Sequence, residues 1–288
     1  MNAVQQTAPE LSSPIGLVAG NGQFPLEFAE NARARGLKVE TVAIKGEADK
    51  RIEALSVSTT WVSVGQLGKL IRTLKKKGVR QVAFAGGVTR VNFVDGFRID
   101  WVGLRMLSKL RSFNDDSIMR GIISMVEHGG IQVVSASILL EKSVPKVGVL
   151  TKRGLTKDEI ENACIGWEAA RTTGALDIGQ SIVMRNKTII AVEAVEGTDA
   201  TIKRAAAVRG EGGVLVKLAK PIQDLRIDLP AIGVRTMELM HENRITALVL
   251  EAGKAIMLDP QGILEAANRL GIAIVAAETV EQLPQFRT

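Results

Sequence analysis

The chain has no tyrosine and only 3% aromatic residues, so its interior has to be assembled from Ala, Val, Ile and Leu. Such a core favours layered α/β architecture, in which buried parallel strands read as short aliphatic runs. Those runs are present. Pro14-Ile-Gly-Leu-Val-Ala-Gly20 reads as a strand ending in glycine. Residues 26–35 have helical periodicity closed by Gly36; 39–44 and 60–64 read as further strands. A helix over 65–77, a strand over 81–85, a helix over 117–127 and a strand over 131–134 continue the alternation. This rhythm predicts an N-terminal Rossmann-like parallel-sheet domain over 14–144, preceded by a tail at 1–13 expected to be disordered.

Residues 145–156, with a proline, two glycines and basic residues, read as a linker. Beyond it the pattern changes. A helix over 157–173 precedes strands over 180–184 and 188–192, which flank Arg185-Asn-Lys187 as a hairpin would. Helices over 199–208, 237–244 and 260–270 alternate with strands over 213–218, 248–251 and 273–277. A hairpin inside alternating elements predicts a C-terminal catalytic α/β domain with a mixed sheet over 157–288.

The formal net charge of +6 suits an anionic partner. Lys75, Lys76 and Lys77 form the tight basic cluster, but they end a predicted helix, where they complement its dipole. With so few aromatics to stack on bases, no nucleic-acid partner is expected. The single cysteine, Cys164, excludes an intrachain disulfide framework and reads as a buried structural thiol. His128 and His241 lack ligand spacing for zinc. No uncharged apolar stretch reaches the ~18–20 residues of a spanning helix. A cytoplasmic location is therefore expected; loose contact with the inner-membrane surface and a homodimer are both compatible with it.

Five stretches carry candidate chemistry. Gly16-Leu-Val-Ala-Gly-Asn-Gly22 joins a strand to a helix, where glycines let amides approach an anion, with Glu40 as an acid about 20 positions on. The same stretch serves equally as a plain tight turn. Ala83-Phe-Ala-Gly-Gly-Val-Thr-Arg90 ends a strand at the ligand-binding edge of an open sheet, and Arg90 suits a phosphate. Asn114-Asp-Asp116 caps a helix or holds a cation or ribose. Asp177, Glu193, Glu196 and Asp199 gather carboxylates near strand ends, as magnesium would require. The fifth runs from Lys217 to Gly233: two lysines, a glutamine, two aspartates and an arginine within 12 residues, stiffened by Pro221 and Pro230. Diphosphate hydrolysis needs such a mixture, cations for developing charge and a carboxylate for metal or water. If the stretch is extended, Asp224, Arg226 and Asp228 share a face.

Lys217, Lys220-Pro-Ile-Gln223, Arg226, Asp228-Leu-Pro230 and Ile232-Gly233 resemble the pattern of UDP-2,3-diacylglucosamine pyrophosphatases of the LpxI type. So do Gly16-Leu-Val-Ala-Gly20, Phe84-Ala-Gly86 with Arg90, Asp115-Asp116 with Arg120, Leu176-Asp-Ile-Gly-Gln180, and Val192-Glu-Ala194 with Glu196-Gly-Thr-Asp199. Ala231 departs from the threonine frequent there. The resemblance implies two domains with the lipid-sugar substrate held between them. It implies magnesium- or manganese-dependent hydrolysis of UDP-2,3-diacylglucosamine to UMP and 2,3-diacylglucosamine 1-phosphate, a step of lipid A synthesis. It singles out Asp228 as catalytically essential. On this reading Asp228, Arg226 and Lys217 are catalytic, and Asp228 and Glu196 bind metal. Gly20, Asn21, Arg90, Asp177, Gln180, Thr198, Lys220 and Gln223 contact the substrate. The rival readings are a non-catalytic uridine-nucleotide or anion-binding regulator, and a nucleotide-sugar transferase.

Overall fold

The computed structural model describes residues 11–88, 99–108, 115–208, 210–221, 223–226 and 229–288, with the backbone alone at 106, 107, 115 and 116. Arg90, Asn114 and Asp228 lie outside the described residues, as do the side chains of Asp115 and Asp116 and most of the predicted tail. The chain divides into two compact units, Met1–Glu141 and Lys142–Thr288.

The first unit is built on β1 (Ile15–Ala19), β2 (Val39–Ile44), β3 (Ser58–Val62), β4 (Gln81–Ala85) and β5 (Gln132–Val134). Their order is β3-β2-β1-β4-β5 and every pairing is parallel. Between them run α1 (Phe24–Ala34), the short α2 (Ile52–Leu55), α3 (Leu67–Lys76), α4 (Trp101–Leu107) and α5 (Asp115–His128). Alternate residues of β1 explain why both faces are covered. Ile15, Leu17 and Ala19 pack with Leu26, Phe28, Ala29 and Ala32 of α1. On the other face Gly16 lets Leu74 of α3, with Val79 and Val82, come so close that a Cβ would sit 2.8 Å from Val79. The third strand starts and ends two residues before its predicted span. Its register is set by Glu40 against Ser58, and the Ser63 N–H leaves the ladder for the Gln66 side chain.

The second unit holds β6 (Gly148–Val149), β7 (Ser181–Arg185), β8 (Thr188–Val192), β9 (Val214–Lys217), β11 (Ala247–Glu251) and β13 (Ala273–Ala277) in the order β6-β13-β11-β9-β7-β8. β9, β11 and β13 are parallel, while β7 runs antiparallel to both β8 and β9. β10 (Ala231–Ile232) and β12 (Ile256–Met257) form a separate parallel pair. The mixed sheet expected from the hairpin is present; Asn186 and Lys187 both take positive φ at its turn, as a type I′ connection requires. The helices are α6 (Lys157–Ala175), α7 (Thr198–Ala205), α8 (Val234–Glu242) and α9 (Pro260–Leu270).

Strand alternation again divides the core. Val183, Leu215, Leu248, Leu250 and Ile274 face Ile202 of α7, Met237 and Met240 of α8, and Ile263 of α9. Ile182, Met184, Val216, Val249 and Val275 face Ala163, Trp167 and Ala170 of α6. The segment 145–156 is more than a connection. Gly148–Val149 pairs antiparallel with β13, and the Thr151 hydroxyl accepts from the Ile274 N–H at 2.8 Å.

Candidate active site

The carboxyl ends of β8, β9 and β11 and the amino end of antiparallel β7 fall on one edge of the second sheet. Two backbone bonds beyond the strands tie this edge together: Glu193 N–H to Ser181 O at 2.9 Å, and Leu218 N–H to Gln180 O at 3.0 Å. Lys217, the last residue of β9, points to the α7 face and is only 2% exposed. Its ammonium donates to Thr198 Oγ1 at 2.7 Å and lies 3.4 Å from Ser181 Oγ. Thr198 is the first residue of α7 and donates in turn to Glu193 Oε1 at 3.1 Å. The other Glu193 oxygen is 4.0 Å from the ammonium. Two predicted residues, Lys217 and Thr198, are thus brought together, and a third group, Glu193, joins them.

A second cluster follows in sequence. Lys220 donates to Asp177 Oδ1 at 2.6 Å, and the Lys220 N–H donates to Gln223 Oε1 at 3.0 Å. Asp177 holds a left-handed backbone, φ 57°, as α6 turns into β7. Gln180, three residues on, keeps a buried side-chain oxygen with no hydrogen-bond partner among the described residues. Arg226 closes on Asp224 through its Nε and Nη2, at 2.9 and 2.7 Å. Residues 225 and 226 form a turn, so Asp224 and Arg226 are not on the extended stretch that was expected; Asp228 lies outside the described residues. Asp224 is the structural partner of Arg226.

A residue missed by sequence reasoning fixes where this loop starts. Glu251, at the end of β11 and 1% exposed, bonds Arg171 at 2.7 Å and Lys254 at 2.7 Å, and accepts from the Ala219 N–H at 3.2 Å. Arg171 lies over the Trp167 ring at 5.4 Å and also reaches Ala219 O at 3.3 Å. Both backbone polar groups of Ala219 are therefore clamped immediately before Lys220. The available signal was a carboxylate ending a fully aliphatic strand, which demands a buried cation.

Glu196, expected as a metal ligand, pairs with Arg204 at 2.6 Å. Its own backbone N–H holds its carboxyl below the usual range; Arg204 and Thr201 act in the same direction. No group of three or more acidic, histidine or cysteine side chains suited to a metal forms among the described residues. Of the carboxylates at this edge, Asp177, Glu196, Asp199 and Asp224 are each paired with a cation. Cys164 is half-buried rather than buried. Burial, then Glu168 and Glu281, push its thiol up, opposite to what a nucleophile needs.

In the first unit, Gly20 and Asn21 follow β1 and meet the turn after β4. The Gly20 N–H donates to Ala85 O at 2.8 Å, and the Asn21 N–H to Gly87 O at 2.8 Å. A Cβ on Gly20 would lie 2.2 Å from Gly87 O. Gly20 thus serves the mutual approach of two turns, and its N–H and that of Asn21 are bonded across it. Glu40 sits at the amino end of β2, bonded to Ser58, away from this turn. The acid found here is Glu47, whose Oε2 accepts from Asn21 Nδ2 at 2.9 Å.

The LpxI N-terminal domain model matches residues 14–143 and the LpxI C-terminal domain model residues 146–275. A curated relative, UDP-2,3-diacylglucosamine pyrophosphatase LpxI of Caulobacter vibrioides, is 32% identical over 280 residues, which is 93% of this chain and 99% of that protein. Similar solved structures include a nucleoside-diphosphate-sugar epimerase from Pseudomonas aeruginosa, with TM-score 0.27, 14% identity and coverage of 52% of this chain and 39% of that one. Another is a Hydrogenobacter thermophilus biotin carboxylase domain, with TM-score 0.28, 12% identity and coverage of 69% and 41%. Likeness at that level carries no argument.

Proposed function

The chain belongs to the LpxI family, and on that premise we propose that it hydrolyses the diphosphate of UDP-2,3-diacylglucosamine to UMP and 2,3-diacylglucosamine 1-phosphate in lipid A biosynthesis. The observation that carries this reading is the set of cations at one sheet edge of the second unit: Lys217 at a strand end, then Lys220 and Arg226 in the loop that follows. Lys220 and Arg226 are each engaged by an aspartate. A diphosphate arriving at this edge offers oxygens that replace those carboxylates at little loss of charge pairing. Lys217 acts from behind, through the Thr198 hydroxyl.

In the proposed reaction water attacks one phosphorus and the bond from that phosphorus to the bridging oxygen breaks. Water supplies hydroxyl to one phosphate and a proton to the other, giving two monoesters. Lys220 and Arg226 neutralise the charge that develops on the phosphoryl oxygens. Asp228 orients the attacking water. Magnesium or manganese is part of the proposal, with Asp228 and Glu196 as its holders; Glu196 would exchange Arg204 for the ion. Such an ion polarises a phosphoryl oxygen and lowers the pKa of bound water. No described helix is long and apolar enough to cross a membrane. We place the enzyme in the cytoplasm, loosely at the inner-membrane surface where a diacyl substrate resides.

The test is product analysis in oxygen-18 water with purified protein, with and without chelator. Expected are UMP and the sugar phosphate, label in one of them, and loss of turnover on chelation reversed by magnesium. Asp228→Ala is expected to lose at least ~10³-fold in kcat. Undiminished turnover in that variant would sink the assignment. UMP binding without turnover by the wild type would favour the regulator.

A further inference from the structure

Lys217 is surrounded by neutral donors and acceptors and one acid. Of its three protons, one is used well, on Thr198 at 2.7 Å; Ser181 at 3.4 Å is a weak partner. Glu193 is 6% exposed, and its Oε2 is buried with no hydrogen-bond partner among the described residues. That oxygen stands 4.0 Å from the Lys217 ammonium, more than an ångström beyond a closed charge-assisted bond. The pair is therefore close enough to balance charge and open enough to leave the ammonium a proton to give.

Three other described acids on the surrounding elements pair with other cations. Glu196 holds Arg204 at 2.6 Å and Asp199 holds Arg235 at 3.6 Å. Lys203 lies on α7. Glu251, the neighbouring strand end, bonds Arg171 and Lys254. The described acid that meets Lys217 is Glu193.

We propose that Glu193 is a positioning residue, its carboxylate keeping the Lys217 ammonium charged and aimed through Thr198 at the edge where the diphosphate is cleaved. Burial disfavours a lone ammonium, and a carboxylate within about 4 Å restores it. The inference rests on the reading of Lys217 as a cation of the reaction, and it gives Glu193, which the sequence offered as one of several magnesium carboxylates, a different role.

Two measurements on the full-length protein test it. The first is Lys217 acetylation by acetic anhydride, followed by mass spectrometry at pH 8 with Lys45 as internal reference. Glu193→Gln is expected to raise Lys217 labelling severalfold relative to Lys45, because a buried ammonium that loses a carboxylate about 4 Å away is less favoured. Glu193→Asp, which keeps the charge, is expected to return it toward wild type. The second is the pH profile of UMP release. In Glu193→Gln the alkaline fall of kcat/KM begins at lower pH, and kcat drops more than KM rises. Unchanged labelling, equal loss at every pH, or no rescue by aspartate overturns the proposal. If the glutamine variant does not fold, the aspartate variant carries both readouts, with intermediate shifts expected and unchanged values overturning it. If the wild type releases no UMP, the proposed function fails while the labelling arm still decides the Glu193–Lys217 pairing.

Discussion

Lys217 and Glu251 end neighbouring strands and bury their charges on opposite faces of one sheet. Each must find its counter-charge within the fold, since an unpaired buried ion is too costly to keep. Glu251 finds two cations and a backbone N–H. Glu251→Ala strips all three and is expected to lower unfolding free energy by about 3 kcal/mol, read by urea denaturation. Gly20 illustrates a different constraint. A methyl group there would meet Gly87 O at 2.2 Å, with backbone on both sides and nothing flexible to yield. Gly20→Ala is expected to cost about 1–3 kcal/mol or more in the same assay. At this scale the sequence was partly readable. The density of charge after Lys217 marked the loop, and Lys217 with Thr198 did converge. Glu251 escaped notice, and Glu193 was read as a magnesium carboxylate rather than as a partner of Lys217, because their significance lies in which strands become neighbours, and β7 and β9 are separated by α7 and β8 in the chain.

Among elements, α6 is the clearest case of local chemistry setting a boundary. Thr156 accepts from the Glu159 N–H, and Glu159 accepts from the Thr156 N–H, forming a capping box. Glu159 also binds Arg153 and Thr246. Burial alone would raise its carboxyl, but bonds from Arg153, the Thr156 N–H and Thr246 hold it below its ordinary value of 4.5. A depressed folded value means stability fully present above the unfolded value and lost as pH falls through the folded one. Acid unfolding followed by circular dichroism should therefore show a component below pH 4.5 that Glu159→Gln removes. Thr156→Ala is expected to cost about 1 kcal/mol at neutral pH. Elements of this kind were legible: β2, β4, β8, α9 and β13 fall where aliphatic runs and glycine stops put them. The short α2 and the two-residue β6 were not, because pieces that small carry no periodicity and form only against a partner already in place.

For the whole molecule, the informative fact is that each unit has its own sheet with apolar packing on both faces. A unit with a complete core meets the condition for folding alone. A fragment spanning residues 142–288 is expected to unfold in a single cooperative transition by calorimetry; a broad, heatless melt would contradict this. The two fold types were predictable from order of elements, strand-helix alternation in the first and an interrupting hairpin in the second. Strand order was not, because pairing across the sheet depends on crossovers that composition does not encode.

That hairpin has a kinetic consequence. β7 and β8 meet across a two-residue turn, whereas β6 must wait for β13, with Val149 pairing Val275. Forming a β-hairpin takes about 1–10 μs, and strands distant in the chain pair far more slowly. The hairpin is thus expected to nucleate the second unit, with β9 the first strand to condense on it. Destabilising substitutions at Asn186 or Val183 should slow refolding, while equivalent ones in β6 should chiefly hasten unfolding. The strand that begins with Ser181 would then be in place before Lys217 arrives beside it, so the charged edge is assembled onto a template rather than gathered from a collapsed chain.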